Sequence, residues 1–436
     1  MFPNPQSALP LPPRPSLERY KKLAKELVKA CRSGDEEAIG DWAEQWIRTL
    51  TKLAGWQSTR QQRAQIDRWT NQVEDFARRK LPGKCALADA QFVVARSHGF
   101  ESWPKFARHL EALAHKSSTV SRFEAAAEAI VNGDVAALKR LLHEDPKLVR
   151  ASSTREHDAT LLHYVSANGV EGYRQKTPQN IVEITKILLN AGAEIDAAAN
   201  VYGGGSTTLG LAATSIHPER AGVQEALLHT LLDRGASLEQ PSIAGNRPSI
   251  VIACLANGRL KAAEFLAARG AHLDLPGAAA LGRLEVVNSS FAVSPKEQLN
   301  EGFLYACQYG RNIVVEFLLE RGADPATARG DGQTALHLAV IGGYLHIVKL
   351  LLRHNAPLEV MNHYGGTVLD QALWSAAHGG DPEVCIAILD ALAAAGAKIP
   401  GRHVPVNPRV DAWLAGHGSR AESSWYWHGE EPRSGK

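Results

Sequence analysis

The sequence predicts an all-α solenoid of helix–turn–helix units with hairpin loops, preceded by a small helical domain. Three observations lead there. One stretch, Asp331 to Glu359, reads DGQTALHLAVIGGYLHIVKLLLRHNAPLE, two short amphipathic helices around a tight turn. The ending of that stretch returns as LLNAGAEID, LLDRGASLE, LAARGAHLD, LLERGADPA and LAAAGAKIP, each a turn after a leucine- or alanine-rich helix. These endings recur at roughly 33–35 residues where the register is clean, a period that signals stacked supersecondary units.

The 331–359 stretch shows why such units need neighbours. Thr334 stands where an N-cap belongs, its hydroxyl able to accept from an orphan N–H of the first turn. Leu336, Leu338, Ala339 and Val340 form one apolar side, and Gly342 and Gly343 end the helix. Ile347, Val348, Leu350, Leu351 and Leu352 give the second helix its apolar face. Neither helix can bury that face alone.

With TALH at 334–337 and TLLH at 160–163, the chain resembles the ankyrin-repeat family over about 121–400. Eight units follow in register, some degenerate. The first, FEAAAEAIVNGDVAALKRLLHEDPKLV, keeps the helix–turn–helix skeleton. The second carries an insertion, VEGYRQKTPQN, and the third another, IHPERAGV; the third also has Gly210 where the family has its loop-tying histidine. Arg247 replaces the turn glycine of the fourth. The fifth, PGAAALGRLEVVNSSF, is short and leads into VSPKEQLNEG, an irregular link and the expected weak seam. The sixth follows that link, the seventh is the near-consensus unit, and the eighth, Asn362 to Pro400, has an insertion around His378-Gly379-Gly380. VNPRVDAWLAGHG, within 401–418, is expected to cap the stack, because a terminal repeat needs a covered apolar face. Residues 419–436 form an aromatic and polar tail containing WYWHG, expected to dock on the last units rather than to bind a partner.

Ahead of the repeats, residues 1–15 read as an extended proline-rich arm with no basic region of a signal peptide. Residues 16–115 read as helices: Ser16 caps the first, Gly34-Asp35 breaks it, and Trp69, Val73 and Phe76 lie at helix spacing. Five of the nine tryptophans precede residue 104, and such a stripe reads as core. LADAQFVVARSHGFESWPKFARHLEALA resembles a helix pair found ahead of ankyrin units in many bacterial ankyrin proteins. HKSSTV at 115–120 reads as the junction.

Composition narrows the function classes. The net charge of +2 is too balanced to imply a nucleic-acid or membrane partner for the whole chain. It is unevenly spread: residues 1–115 carry 19 Lys/Arg against 13 Asp/Glu. The cluster Arg78-Arg79-Lys80 with Lys84 keeps nucleic-acid binding as an alternative, with a solvated helical face as the plainer explanation. Nothing approaches 18 consecutive strongly apolar residues. The five cysteines, at 31, 85, 254, 307 and 385, form no metal or CxxC spacing and read as reduced thiols of a cytoplasmic protein.

No catalytic, cofactor or metal site is expected. GGGSTT at 203–208 lacks the lysine of a phosphate loop and falls on a hairpin tip. Glu156-His157-Asp158 with His163 invites a metal reading, but His163 and His337 sit at the family's structural TxLH position. A small-molecule or enzymatic site roofed by insertions 171–180 and 218–223 is the other alternative, and it requires Tyr173, Arg174, His217 and Arg220 to converge.

The resemblance implies a non-catalytic scaffold, monomeric, that binds a protein partner. It also implies where: the two hairpin residues before the turn glycine and the two residues ending the first helix. By register these are Glu156, His157, Ala167 and Asn168 in the second unit. The third unit gives Gly203, Gly204, Thr214 and Ser215, and the fourth Asn246, Ala256 and Asn257. Gln308 and Tyr309 follow, then Gly330, Asp331, Ile341 and Gly342, then His363, Tyr364, Trp374 and Ser375. Large aromatics, the residues that dominate interface hot spots, fall only in the last three units.

Overall fold

The computed structural model describes residues 4–53, 55, 59–81, 85–239 and 248–421. These residues fall into two compact units, Met1–His272 and Leu273–Lys436.

The first unit begins with five helices, Leu17–Arg32, Ala38–Leu53, Arg60–Lys80, Leu87–Ser97 and Trp103–Leu113. Ser16 caps the first of them by accepting from Arg19 N, and Thr59 with Gln62 makes a reciprocal capping box on the third. The tryptophan stripe is core: Trp42, Trp46, Trp69, Val73, Phe76 and Phe106 share one buried cluster. The Trp42 indole N–H is satisfied by the Leu23 carbonyl at 3.1 Å.

Two boundaries differ from the sequence expectation. The proline-rich arm is not a free linker. Its Ala8 and Leu9 are buried, Leu9 N donates to Ser97 O at 2.8 Å, and the Leu9 carbonyl lies 3.1 Å from His98 Nδ1. A buried leucine and two backbone-level bonds outweigh the composition that suggested an extended arm. Nor does 115–120 separate two bodies. Ser118 caps the helix Thr119–Asn132 and also donates to the Ala112 carbonyl at 2.7 Å, so the turn folds that helix onto Trp103–Leu113.

Four repeats complete this unit. Thr119–Asn132 and Val135–Glu144 form the first pair, turning at Gly133 with φ of 77°. In the second, the expected first helix is a short 3-10 helix, Leu161–Ser166, and the return helix is Ile181–Asn190. Thr208–Thr214 and Gln224–Asp233 make the third, with Ile216–Arg220 as an inserted turn, and Ile250–Ala256 and Leu260–Ala268 make the fourth.

The second unit continues with Leu275–Ala280 and Leu284–Ser290, then Lys296–Gln308 with Asn312–Glu320, Ala335–Ile341 with Leu345–Arg353, and Val368–Ala377 with Pro382–Ala394. A single apolar core runs through it from Ala278 to Leu414. The expected irregular link is mostly helix: Lys296–Gln308 is 13 residues long and packs on Leu275–Ala280. Gly302 permits that approach, since a Cβ there would lie 2.6 Å from a Leu275 methyl. The helix Pro408–Gly416 covers the end of the stack, its Val410 and Leu414 buried. The cap reaches further than expected, because Arg402–His403 pairs in parallel with Arg420–Ala421. The WYW segment lies outside the described residues. No described helix is long and apolar enough to cross a membrane.

Candidate partner-binding surface

The hairpins are held by the TxLH residues. Thr334 N donates to His337 Nδ1 at 3.3 Å, which leaves the proton on Nε2, 3.3 Å from the Gly366 carbonyl of the next hairpin. Thr160 and His163 repeat the device, with His163 Nε2 3.2 Å from the Ser206 carbonyl. Burial pushes the His163 imidazole down to about 4 and lowers that of His337, so both act as neutral ties. Adjacent tips are also stitched by backbone: His363 N donates to Asp331 O, and Asn200 N to His157 O, at 2.9 and 2.8 Å.

On these rigid tips the second unit presents the aromatic positions outward. Gln308, Ile341 and Trp374 follow one another at about 33-residue steps, at the ends of the first helices of successive repeats. Ala335–Ile341 packs on both Lys296–Gln308 and Val368–Ala377, so the three positions share one face. Ile341 is 42% exposed and Trp374 54%, the indole stacked on His378 with ring centroids 4.1 Å apart. Tyr364, at a hairpin tip, is 81% exposed, and His363 beside it is exposed. Tyr309 and Gln308 are half-buried; Tyr309 stacks on Tyr305, and Gln308 accepts from Arg329. Asp331 is half-buried, one oxygen accepting from Gln333 N at 3.1 Å. The register missed Met361, an exposed side chain two residues before His363.

In the first unit the same positions are used internally. His157 is 2% exposed, which corrects its assignment as a contact residue; its Nε2 lies 3.6 Å from Glu171. Glu156 pairs with Arg96, and its N–H donates to the Gly99 carbonyl at 2.9 Å, so this tip is welded to the helices ahead of the repeats. Ala167 is buried, and half-buried Asn168 donates to Leu211 O and Thr214 Oγ1 at 3.2 and 3.0 Å. Its carbonyl accepts from the Tyr202 hydroxyl at 2.8 Å, and Gln6 of the N-terminal strap reaches the same pair. Asn257 is exposed; Asn246 lies outside the described residues. Gly203 and Gly204 take positive φ at the tip of the third hairpin, as a tight turn demands.

The insertion 171–180 is a plug rather than a roof. Glu171 is fully buried between Arg155 Nε at 3.0 Å and Arg174 Nη1 at 3.4 Å, and Arg174 also meets Glu124 at 2.8 Å. Burial alone would raise the Glu124 carboxyl, but Arg155 and Arg174 hold it down at about 2, and they hold Glu171 well below the usual range. Tyr173 and Arg174 therefore face this ionic cluster. His217 lines a separate polar cleft of 530 Å³ with Gln6, Tyr202 and Arg259, while Arg220 is exposed. The convergence that a roofed small-molecule site requires is not there. The basic cluster is also partly spent: Arg78 pairs with Glu74 and donates to Glu36 O at 2.7 Å, and Arg79 donates to Asp75 O at 3.2 Å. Lys84 lies outside the described residues. Among the described residues no group of three or more His, Cys, Asp or Glu is arranged to hold a metal.

Comparison with known proteins agrees with the stack. Residues 303–399 match the family model described as ankyrin repeats in three copies. The chain is 46% identical over 66 residues to a putative ankyrin repeat protein, L92, of Acanthamoeba polyphaga mimivirus, covering 15% of this chain and 16% of that protein. It is 36% identical over 78 residues to the NAD-capped RNA hydrolase NUDT12 of Homo sapiens, covering 16% of this chain and 17% of that one. The chain thus spans less than a fifth of the length of either relative. Among solved structures, the human ASB11 ankyrin repeat domain aligns with a TM-score of 0.34 and 21% identity, covering 63% of this chain and 98% of that chain. These relatives come from a virus and eukaryotes, and the expected bacterial affiliation finds no support in them. The chain contains ankyrin repeats, built as an all-α stack with a helical segment ahead of them.

Proposed function

We propose that this chain is a non-catalytic scaffold that recognises a protein partner through the second unit. Ankyrin repeats are generally protein–protein interaction modules. The observation that carries the finer reading is the exposure of Ile341, Tyr364 and Trp374 on tips and helix ends that are themselves rigidly held. Large side chains with few rotatable bonds, fixed on a stiff frame, lose little entropy on docking and dominate measured interfaces. Gln308, Tyr309, Asp331 and His363 supply the polar margin, with Tyr309 and Asp331 less accessible. Glu156, Asn168 and Asn257 of the first unit are secondary at most, since the first two already have internal partners. His163, which with Glu156-His157-Asp158 invited a metal reading, serves as a loop tie, as His337 does. Free thiols at all five cysteines fit a reducing, cytoplasmic setting.

The test is affinity capture on the immobilised chain, identification of the retained protein, and its binding to Trp374→Ala and Tyr364→Ala. Each substitution is expected to weaken binding by at least about 2 kcal/mol, roughly thirtyfold. Unchanged affinity in both removes the reading.

A further inference from the structure

Cys254, Cys307 and Cys385 are buried and pack as small hydrophobes. Cys31 and Cys85 are placed differently. Cys31 lies in the last turn of Leu17–Arg32, and Cys85 lies just before Leu87–Ser97, and these two helices pack on each other. Arg32 donates from both Nε and Nη2 to the Cys85 carbonyl, at 3.1 and 2.7 Å, pinning that backbone against the end of the first helix. The Cys31 thiol points the same way, donating to the Leu81 carbonyl at 3.7 Å, while the Cys85 thiol donates to the Ala86 carbonyl at 3.7 Å. Cys85 is buried, while Cys31 is half-buried and open to a small reagent.

We propose that Cys31 and Cys85 form a reversible intramolecular disulfide, a redox staple on the helical segment ahead of the repeats. A disulfide needs its partners brought close, and the Arg32 fork draws the Cys85 backbone to the last helical turn that carries Cys31. Burial and the neighbouring Cys31 thiol push the Cys85 thiol up to about 12, so Cys31 is the attacking sulfur. Its thiolate attacks one sulfur of a low-molecular-weight disulfide, such as oxidised glutathione; that S–S bond breaks and one thiol leaves. Cys85 then gives up its proton, its sulfur attacks Cys31 Sγ, and the second thiol leaves. Two electrons pass from the protein pair to the oxidant, which ends as two thiols. In a reducing compartment the pair rests as the dithiol and closes only under oxidant. Closure ties Leu17–Arg32 to the start of Leu87–Ser97 across the two intervening helices, which restricts the unfolded chain and raises the stability of this segment. This inference is independent of the partner-binding reading.

The full chain, reduced and then treated with oxidised glutathione, is denatured, alkylated and weighed. The expected product has lost the mass of two hydrogens, leaves three of the five cysteines open to alkylation, and yields a peptide cross-linked between Cys31 and Cys85. Dithiothreitol reverses it, and the oxidised chain melts at least about 5 °C higher than the reduced one. Cys85→Ser is expected to stop at a glutathione adduct on Cys31, and Cys31→Ser to take none at either position. Five alkylatable cysteines after treatment, a persistent adduct on Cys31 of the native sequence, or cross-links between chains would overturn the proposal.

Discussion

The two units build the same repeat in different ways. Leu273–Lys436 is a nearly regular stack with one continuous apolar core, and it leaves Ile341, Tyr364 and Trp374 exposed at its tips and helix ends. Met1–His272 carries insertions and a strap, and fills the equivalent positions from within: His157 faces Glu171, Glu156 faces Arg96, and Asn168 ties down Tyr202. A contact position in a repeat is therefore a place, not a role. Where neighbouring repeats are regular, side chains such as Ile341, Tyr364 and Trp374 stay exposed there, and where the chain inserts extra residues they take it.

The largest way to break this contrast is Glu171→Ala. It leaves Arg155 and Arg174 buried with Glu124 as their main counter-charge, and removal of one partner from a buried ionic cluster costs about 3–5 kcal/mol. Chemical unfolding should show this loss in the first unit, with the second unit's transition unmoved. Glu171→Gln should cost less, because the amide still accepts from both arginines.

Acid should separate the units next. Burial drives His98 and His109 down to about 3, His109 further disfavoured by Arg155, and His163 to about 4. The unfolded chain protonates these imidazoles near 6.5, so their contribution is complete above that pH and is lost as pH falls toward the folded values. Glu124 adds the depressed-carboxylate case: its contribution is present above the unfolded value near 4.5 and is lost as pH falls through about 2. By pH 5 the loss from His98 and His109 together is on the order of 4 kcal/mol, read as a falling melting temperature of the first unit. In the second unit burial lowers the His337 imidazole. A common acid midpoint for both units would contradict the contrast.

Gly310→Ala probes the regular stack. Gly310 has φ of 71°, and an added Cβ would lie 2.6 Å from the Tyr344 ring, so the change is expected to cost about 1–3 kcal/mol in the second unit. Trp374→Ala is the smallest. Its indole stacks on His378 outside the core, so the melting temperature should move by no more than about 2 °C. A core-sized loss would show that Trp374 supports the fold instead of presenting a surface.

How legible these features were depends on the range of the interactions behind them. Ser16, Thr334, Gly133 and the tryptophan stripe act through neighbours three or four residues away or through helical spacing, and the sequence displays both. The exposed aromatics followed from the family's contact positions carried over by register. The ionic cluster did not: Glu124, Arg155, Glu171 and Arg174 come from a helix, a hairpin and an insertion, with no shared periodicity. The strap was misread for the same reason, since proline content describes local stiffness and says nothing of what Leu9 packs against. The strand pair at Arg402–His403 and Arg420–Ala421 is two residues long on each side, too short for any pattern.

The strap also sets an order of events during synthesis. Residues 5–9 emerge well before part of their seat: Gln6 reaches Asn168 and Tyr202, and the missing side chain of Gly172 is what lets the Gln6 carbonyl in. A Cβ at 172 would collide with it. The strap must therefore stay unseated until the third hairpin has left the ribosome. Closing so long a loop makes the seating of the strap one of the slowest steps in folding this half of the molecule.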